Sequence, residues 1–405
     1  MFESLEKLPD QEMKSRLESF RSNIREAGID CGAVMIFSRL NIYYFTGSFG
    51  NGTLWIPMDD QPVFLCRKGE QRFRLESPLD RVAAFRSYKD LPVMLSEFGL
   101  KIPDKVGVEK TGINWALADS LQKRIKAVEF VSIDNAIART RMVKSQWEVQ
   151  KLILCGQRHH EALYHNLPEH IHPGMTEREI SLAVWDCFFS LGHQGMMRMQ
   201  NFGEEIFLGH VAAGDSANYP SVFNGPVGLR GEHPAITQMG YAGKIWQDDE
   251  PLILDCGFAL EGYQTDKTQV YFPAAWKVPD HVRQAHDLCV EIQNMAANIL
   301  LPGEKPGDIY VKALDMAEKA GFAEGFMGLG GNKVPFLGHG IGLAVDEYPP
   351  LAKGFEDPLQ ENMFLALEPK IGIKGVGMVG VENTFRVTPK GGVCITGDMF
   401  NPVRV

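Results

Sequence analysis

The sequence predicts a small α/β domain followed by a larger α+β domain built from an internal repeat. Three observations predict it. The length of 405 residues suits two cores better than one. Short helix and strand signals alternate through the first third. Beyond about residue 140 the helices lengthen, glycines and histidines gather, and a short segment recurs.

In the first third, Leu17, Phe20 and Ile24 fall at helical spacing in a helix that ends near Gly28. Ala33 to Phe37 reads as a strand, and Ile42 to Phe45 as another. Asn51-Gly52 signals a turn into a strand over Thr53 to Ile56, and Pro62 to Leu65 continues the alternation. Strands near 103–108 and 128–133 flank a helix over about 113–125. This domain, 1–140, carries no Gly-rich phosphate loop, Cys/His cluster or nucleophile elbow. The boundary falls in RTRMVKSQWEVQKL (139–152), and the second domain runs over 145–405. There His159 to Asn166 continues a helix, and Pro173-Gly174-Met175-Thr176 opens another at Glu177. PGMTEREI (173–180) is echoed by PGEKPGDI (302–309). Each copy follows a long helix, opens a second one and precedes a hairpin rich in carboxylates. Two such units would pack into one pseudo-symmetric domain.

Composition narrows the function. At 44% hydrophobic and 23% charged, the chain is an ordinary folded protein. Its 41 basic against 51 acidic residues leave no basic stripe for phosphates, so nucleic acid is not expected as a partner. The seven cysteines are scattered and never form a CxxC pair, which suits reduced thiols. Neither a signal-peptide pattern nor an apolar run of roughly 18 residues occurs. The expectation is a soluble, cytoplasmic protein with no membrane partner.

Chemistry gathers in the second domain. LILDCGFALEGYQTDKTQVYF (252–272) reads as a hairpin turning near Glu261-Gly262, and reflection about 260/261 places Asp255 opposite Asp266. Directly paired residues share a face with Cβ atoms about 4.5–5.5 Å apart, so two like charges there repel. A divalent cation removes the objection. In NMFLALEPKIGIKGVGMVGVENTFRV (362–387), reflection about Gly375 pairs Glu368 with Glu382, again inside apolar arms where unpaired charge is costly. Between them lies FLGHGIGLAVDEYPP (336–350), where glycines flank His339. Four carboxylates and an imidazole suit a pair of ions such as Mn, Fe, Co or Zn, which can share and activate a water. A lone Asp in a strand is usually solvated, but two hairpins with opposed carboxylates are harder to explain that way.

At these residues the sequence resembles the M24 metallopeptidase family, the pita-bread fold of methionine aminopeptidase, aminopeptidase P, prolidase and creatinase. LILDCGFALEGYQTDKT, GHGIGLAVDEYPP, ALEP and GVENTFRVT carry the likeness, in the family order Asp, Asp, His, Glu, Glu. RLESFRSNIREAGIDCGAV and NIYYFTG resemble the creatinase-type N-terminal domain, and HPGMTEREI is typical of the same branch. The resemblance implies that Asp255, Asp266, His339, Glu368 and Glu382 hold two divalent ions, with Asp266 and Glu382 bridging. It implies that Glu368 also takes the proton from the bridging water. Relatives are commonly homodimers.

Two positions depart from the peptidase pattern. The peptidases carry a histidine seven residues after the ligand histidine, where this chain has Asp346, and another where it has Ser221. His210, Arg198, Tyr219 and Tyr348 stand near enough in sequence to fill the gap. His210 and Asp346 are taken as catalytic candidates beside Glu368, and Ser221, Tyr219, Arg198 and Tyr348 as substrate contacts. The resemblance thus implies an Xaa-Pro aminopeptidase or dipeptidase that cuts short peptides by a metal-bridged hydroxide, with Asp346 binding the free α-amino group of the substrate. The alternative is a non-peptidase metalloenzyme on the same scaffold, which hydrolyses a small amide or C–N bond or, as a lyase, eliminates from a charged metabolite with Asp346 as base.

Overall fold

The computed structural model describes residues 3–125, 128–200 and 206–405. The chain divides into two compact units, Met1–Arg141 and Met142–Val405.

The first unit opens with α1 (Asp10–Glu26), whose buried Met13, Leu17, Phe20 and Ile24 repeat every three to four residues. Then come β1 (Ala33–Ile36), α2 (Arg39–Thr46), β2 (Asn51–Pro57), β3 (Val63–Lys68), α3 (Glu70–Glu76), β4 (Val82–Ala84), α4 (Leu91–Ser96), β5 (Lys105–Val108), α5 (Trp115–Arg124), β6 (Glu129–Ser132) and α6 (Asp134–Met142). The six strands form one mixed sheet in the order β4-β3-β2-β1-β5-β6. One expectation fails here: Ile42 to Phe45 is helix, not strand. The Ser38 side chain accepts the Asn41 N–H at its start, and Gly47 closes it in the left-handed region at φ 77°. These caps prevail over the aromatic, strand-like run between them. The short elements α3, β4 and α4 were not foreseen at all.

The second unit begins with α7 (Gln146–His160) and α8 (Glu177–Ser190), each started by a reciprocal Ser/Thr–Glu capping box. β7 (Gly209–Ala213), β8 (Leu252–Leu260) and β9 (Tyr263–Phe272) follow. The pattern then repeats with α9 (Asp280–Asn298), α10 (Pro306–Lys319), β10 (Gly338–Gly340), β11 (Phe364–Leu367), β12 (Lys370–Ile373), β13 (Gly377–Gly380) and β14 (Asn383–Thr388), ending in β15 (Gly391–Cys394) and β16 (Val403–Arg404). The helix–helix–hairpin order therefore occurs twice, and α8 and α10 are the helices opened by the two echoing segments. The sheets run β16-β9-β8-β7 and β10-β11-β14-β15, with β12-β13 a separate ribbon. A bridge between Thr268 and Glu382 joins the two halves, the Thr268 N–H donating to the Glu382 carbonyl at 3.1 Å.

The β8–β9 register corrects the expected pairing. The chain turns on two residues, Glu261 and Gly262, both at positive φ, so Leu260 faces Tyr263. Asp255 therefore lies opposite Thr268, and Asp266 opposite Gly257. The two aspartates remain on one face as diagonal neighbours. In the second half the expected register about Gly375 holds through β12–β13 and β11–β14 alike, with Lys370 opposite Gly380 and Leu367 opposite Asn383. Among the described residues no helix is long and apolar enough to cross a membrane.

Candidate metal and substrate site

The alternation of β8 and β9 turns Asp255 and Asp266 to one side, where β10 brings His339 and the ends of β11 and β14 bring Glu368 and Glu382. Ligand atoms of Asp266, His339 and Glu382 lie within 4.8 Å of one another, and so do those of Asp255, Glu368 and Glu382. The five residues line one cavity of about 350 Å³ in the second unit. Thr384 pins Asp266 in place: the Asp266 N–H donates to its Oγ1, and the hydroxyl donates to the Asp266 carbonyl, both at 3.0 Å. His339 Nδ1 lies 3.1 Å from the Gly340 carbonyl, which only accepts, so Nδ1 is the donor there and Nε2 is the nitrogen that faces the carboxylates. Nε2 stands 3.7 Å from Glu368 Oε1 and 3.9 Å from Glu382 Oε1, too far for hydrogen bonds.

Whether this set fits a cation can be judged from Glu382. It is 1% exposed, and its Oε1 has no hydrogen-bond partner. An anionic oxygen so placed is costly unless something positive meets it. An imidazole nitrogen and a second carboxylate within reach of the same point make a donor set for a borderline divalent ion. The residues around Asp266, His339 and Glu382 therefore fit a metal.

The second group differs, because a lysine sits inside it. Lys370 is completely buried, and its Nζ lies 2.6 Å from Glu382 Oε2, 2.9 Å from Glu368 Oε2 and 3.2 Å from Asp255 Oδ2. Burial pulls its pKa down, but Asp255, Glu368 and Glu382 outweigh burial and hold the ammonium well above the usual lysine range. Burial likewise pushes Asp255 up, while Lys370 and His210 prevail and bring it down to about 2. Burial and the neighbouring Asp255 raise Asp266 to about 7, and burial with Asp266 raises Glu382 well above the carboxylate range. The Thr268 hydroxyl stands between Asp255 Oδ1 and Glu382 Oε2, 3.1 Å from each.

Of the other expected site residues, His210, Asp346 and Tyr348 line the cavity. His210 faces Asp255 across the β7–β8 ladder and is buried against Phe223, with burial lowering its pKa. Asp346 Oδ1 accepts the Gln200 N–H at 2.7 Å, and Tyr348 Oη donates to Asp357 at 2.6 Å. Arg198, Tyr219 and Ser221 are not among the residues that line this cavity. Tyr219 lies on a separate cleft beside Arg230 and Trp276. The Ser221 Oγ accepts the Phe223 N–H, and the Arg198 main chain is tied to Gln264 and Val345. The NFGEE end of the segment that holds Arg198 lies outside the described residues. Sequence reasoning missed Lys370, the bridging Thr268 and the apolar wall of Phe223, Phe336 and Phe355. Lys370 had a signal, since it stands two residues after Glu368 in an extended segment and so shares its face. Burial pushes the Cys155 thiol up to about 12, which makes it a packing residue and not a nucleophile.

Residues 151–389 match the model described as metallopeptidase family M24, and residues 16–143 match the creatinase/prolidase N-terminal domain. The chain is 23% identical over 386 residues to an Xaa-Pro dipeptidase of Pyrococcus furiosus, covering 95% of this chain and 98% of that protein. The fold is similar to that of an Xaa-Pro dipeptidase from Bacillus anthracis, with a TM-score of 0.79 at 21% identity over 97% of this chain and 100% of the other. It is also similar to a dipeptidase from Mycobacterium ulcerans, with a TM-score of 0.78 at 22% identity over 98% and 99% of the two chains. The catalytic unit is thus of the pita-bread type behind a creatinase-type N-terminal domain, and the chain belongs to metallopeptidase family M24.

Proposed function

We propose that this metallopeptidase hydrolyses the N-terminal bond of short peptides whose second residue is proline. The observation that carries the proposal is the carboxylate–imidazole cluster on the floor of a small, partly apolar cavity. A divalent ion bound there supplies a Lewis acid and lowers the pKa of a water at neutral pH. The protein's own residues do the rest. Glu368 Oε2 is held by Lys370, so its Oε1 is the oxygen that takes the proton of the attacking water and returns it to the leaving nitrogen. Phe223, Phe336 and Phe355 give a prolyl ring an apolar wall, and Asp346 offers a carboxylate to the free α-amino group. The cavity volume of about 350 Å³ favours a dipeptide over a long chain. The expectation of two ions is supported by the two ligand groups but opposed by Lys370 in one of them.

The deciding experiment measures hydrolysis of Xaa-Pro dipeptides and Xaa-Pro-Yaa tripeptides with Mn, Co, Zn or Fe supplied in turn, using Asp266→Ala as the blank. Turnover that disappears in the blank is the expected result, with dipeptides preferred. Metal binding without cleavage of any peptide would overturn the peptidase reading. It would favour a C–N bond reaction on a charged metabolite, with Asp346 as base.

A further inference from the structure

We infer that Lys370 is a built-in cation standing where a second metal ion would otherwise sit, so that this enzyme operates with one divalent ion, held by Asp266, His339 and Glu382. The inference rests on the reading of the cluster as a metal site and departs from it only in the number of ions.

Three observations converge. First, the lysine Nζ reaches one oxygen of each of Asp255, Glu368 and Glu382, at 3.2, 2.9 and 2.6 Å, and these three residues are the whole of one ligand group. A divalent ion in that group needs the same carboxylates at about 2.0–2.2 Å, and the ammonium would face it at close range in a water-poor site. Second, the lysine is locked in place. Its side chain is 0% exposed, its backbone is paired with Gly380, and a Cβ at Gly380 would lie 2.7 Å from the Lys370 Cα. Room has been left opposite this residue for the stem of the lysine. Third, Lys370 reaches the other ligand group only through the shared Glu382, at its Oε2. Among the described residues no lysine or arginine pairs with Asp266, and the partnerless Glu382 Oε1 turns toward His339. The five acidic and imidazole residues thus divide by role: Asp266, His339 and the Oε1 of Glu382 present donors to a metal, while Asp255, Glu368 and the Oε2 of Glu382 are met by Lys370. Lys370 is a positioning residue in this arrangement, because it orients Glu368 and blocks a cation subsite without touching the reacting bond.

The test counts ions, independently of turnover. Metal-free full-length protein is dialysed against Mn²⁺, and bound manganese is measured by mass spectrometry alongside its electron paramagnetic resonance spectrum. Wild type is expected to hold one Mn²⁺ with the six-line signal of an isolated ion. Lys370→Ala is expected to hold two with an exchange-coupled spectrum, and Lys370→Arg to hold one. Two ions in wild type would overturn the inference and leave the metallopeptidase reading standing. No bound ion in wild type would overturn both. One ion in wild type and still one in a folded Lys370→Ala protein would remove Lys370 as the cause. Should Lys370→Ala not fold, the wild-type count and spectrum decide alone.

Discussion

Glu109 in the first unit and Glu382 in the second are the same residue type, each 1% exposed, and their surroundings could hardly differ more. Glu109 accepts the Phe37 N–H at 2.6 Å, the Ser38 N–H at 2.8 Å and the Asn41 Nδ2 at 2.6 Å, so both of its oxygens are served. Glu382 receives Thr268 and Lys370 on one oxygen and nothing on the other. A buried carboxylate is therefore no sign of function in itself. With donors on every side it is a strut that ties β1, α2 and β5 together. With an oxygen left bare it is suited to meet a cation.

That contrast can be broken by experiment. The largest effect is expected for Glu382→Gln, which removes a ligand: kcat/KM for an Xaa-Pro dipeptide should fall on the order of 10³-fold. Unfolding of the metal-free variant in urea should show little loss of stability, because the amide oxygen can still accept from Thr268 and Lys370 while burial and Asp266 oppose the charge on Glu382. A marked loss of stability would place Glu382 in the same class as Glu109. Glu109→Gln should do the reverse, costing about 1–3 kcal/mol in urea unfolding as an amide N–H₂ meets donors that need an acceptor. Its kcat/KM should stay unchanged; a selective loss of activity would undo the comparison.

A third prediction sharpens the contrast on the side of neutral polar groups. His193 Nδ1 accepts the Ala259 N–H at 3.0 Å, next to the β8–β9 turn, and burial lowers its pKa to about 4 from 6.5. The folded pKa lies below the unfolded one, so the unfolded chain takes up the proton first. Stability from this residue is complete above about pH 6.5 and is lost as pH falls toward 4. The loss reaches about 2 kcal/mol at pH 5, from about 1.4 kcal/mol per unit. His193→Asn, which can accept the same N–H without titrating, should flatten the fall in urea midpoint between pH 7 and 5. An unaltered slope would clear His193 of this role.

Much of the site was legible in the sequence because strand alternation is a strict period. The parity of Asp255 and Asp266 follows from counting residues, and so does the pairing frame around Gly375. Register within the first hairpin was less legible. Moving the turn from 260/261 to the Glu261-Gly262 pair shifts Asp255 from Asp266 to Thr268 without changing its face, and apolar patterning cannot detect such a shift. At Ile42 to Phe45 a β-branched and aromatic run competed with its caps, and the caps at Ser38 and Gly47 won. Lys370 was overlooked because EPKIGIKG reads as a charged connection until β12 is seen to run through it. Arg198, Tyr219 and Ser221 depended on loop paths, which no period constrains.

The Thr268–Glu382 bridge joins the two halves beside the cluster itself. It ties the strand that carries Asp266 to the start of the strand that follows Glu382, so the cluster draws its members from both halves of the repeat. A change that loosens the seam between the halves, far from any of the five side chains, would therefore spoil the site as surely as removing one of them.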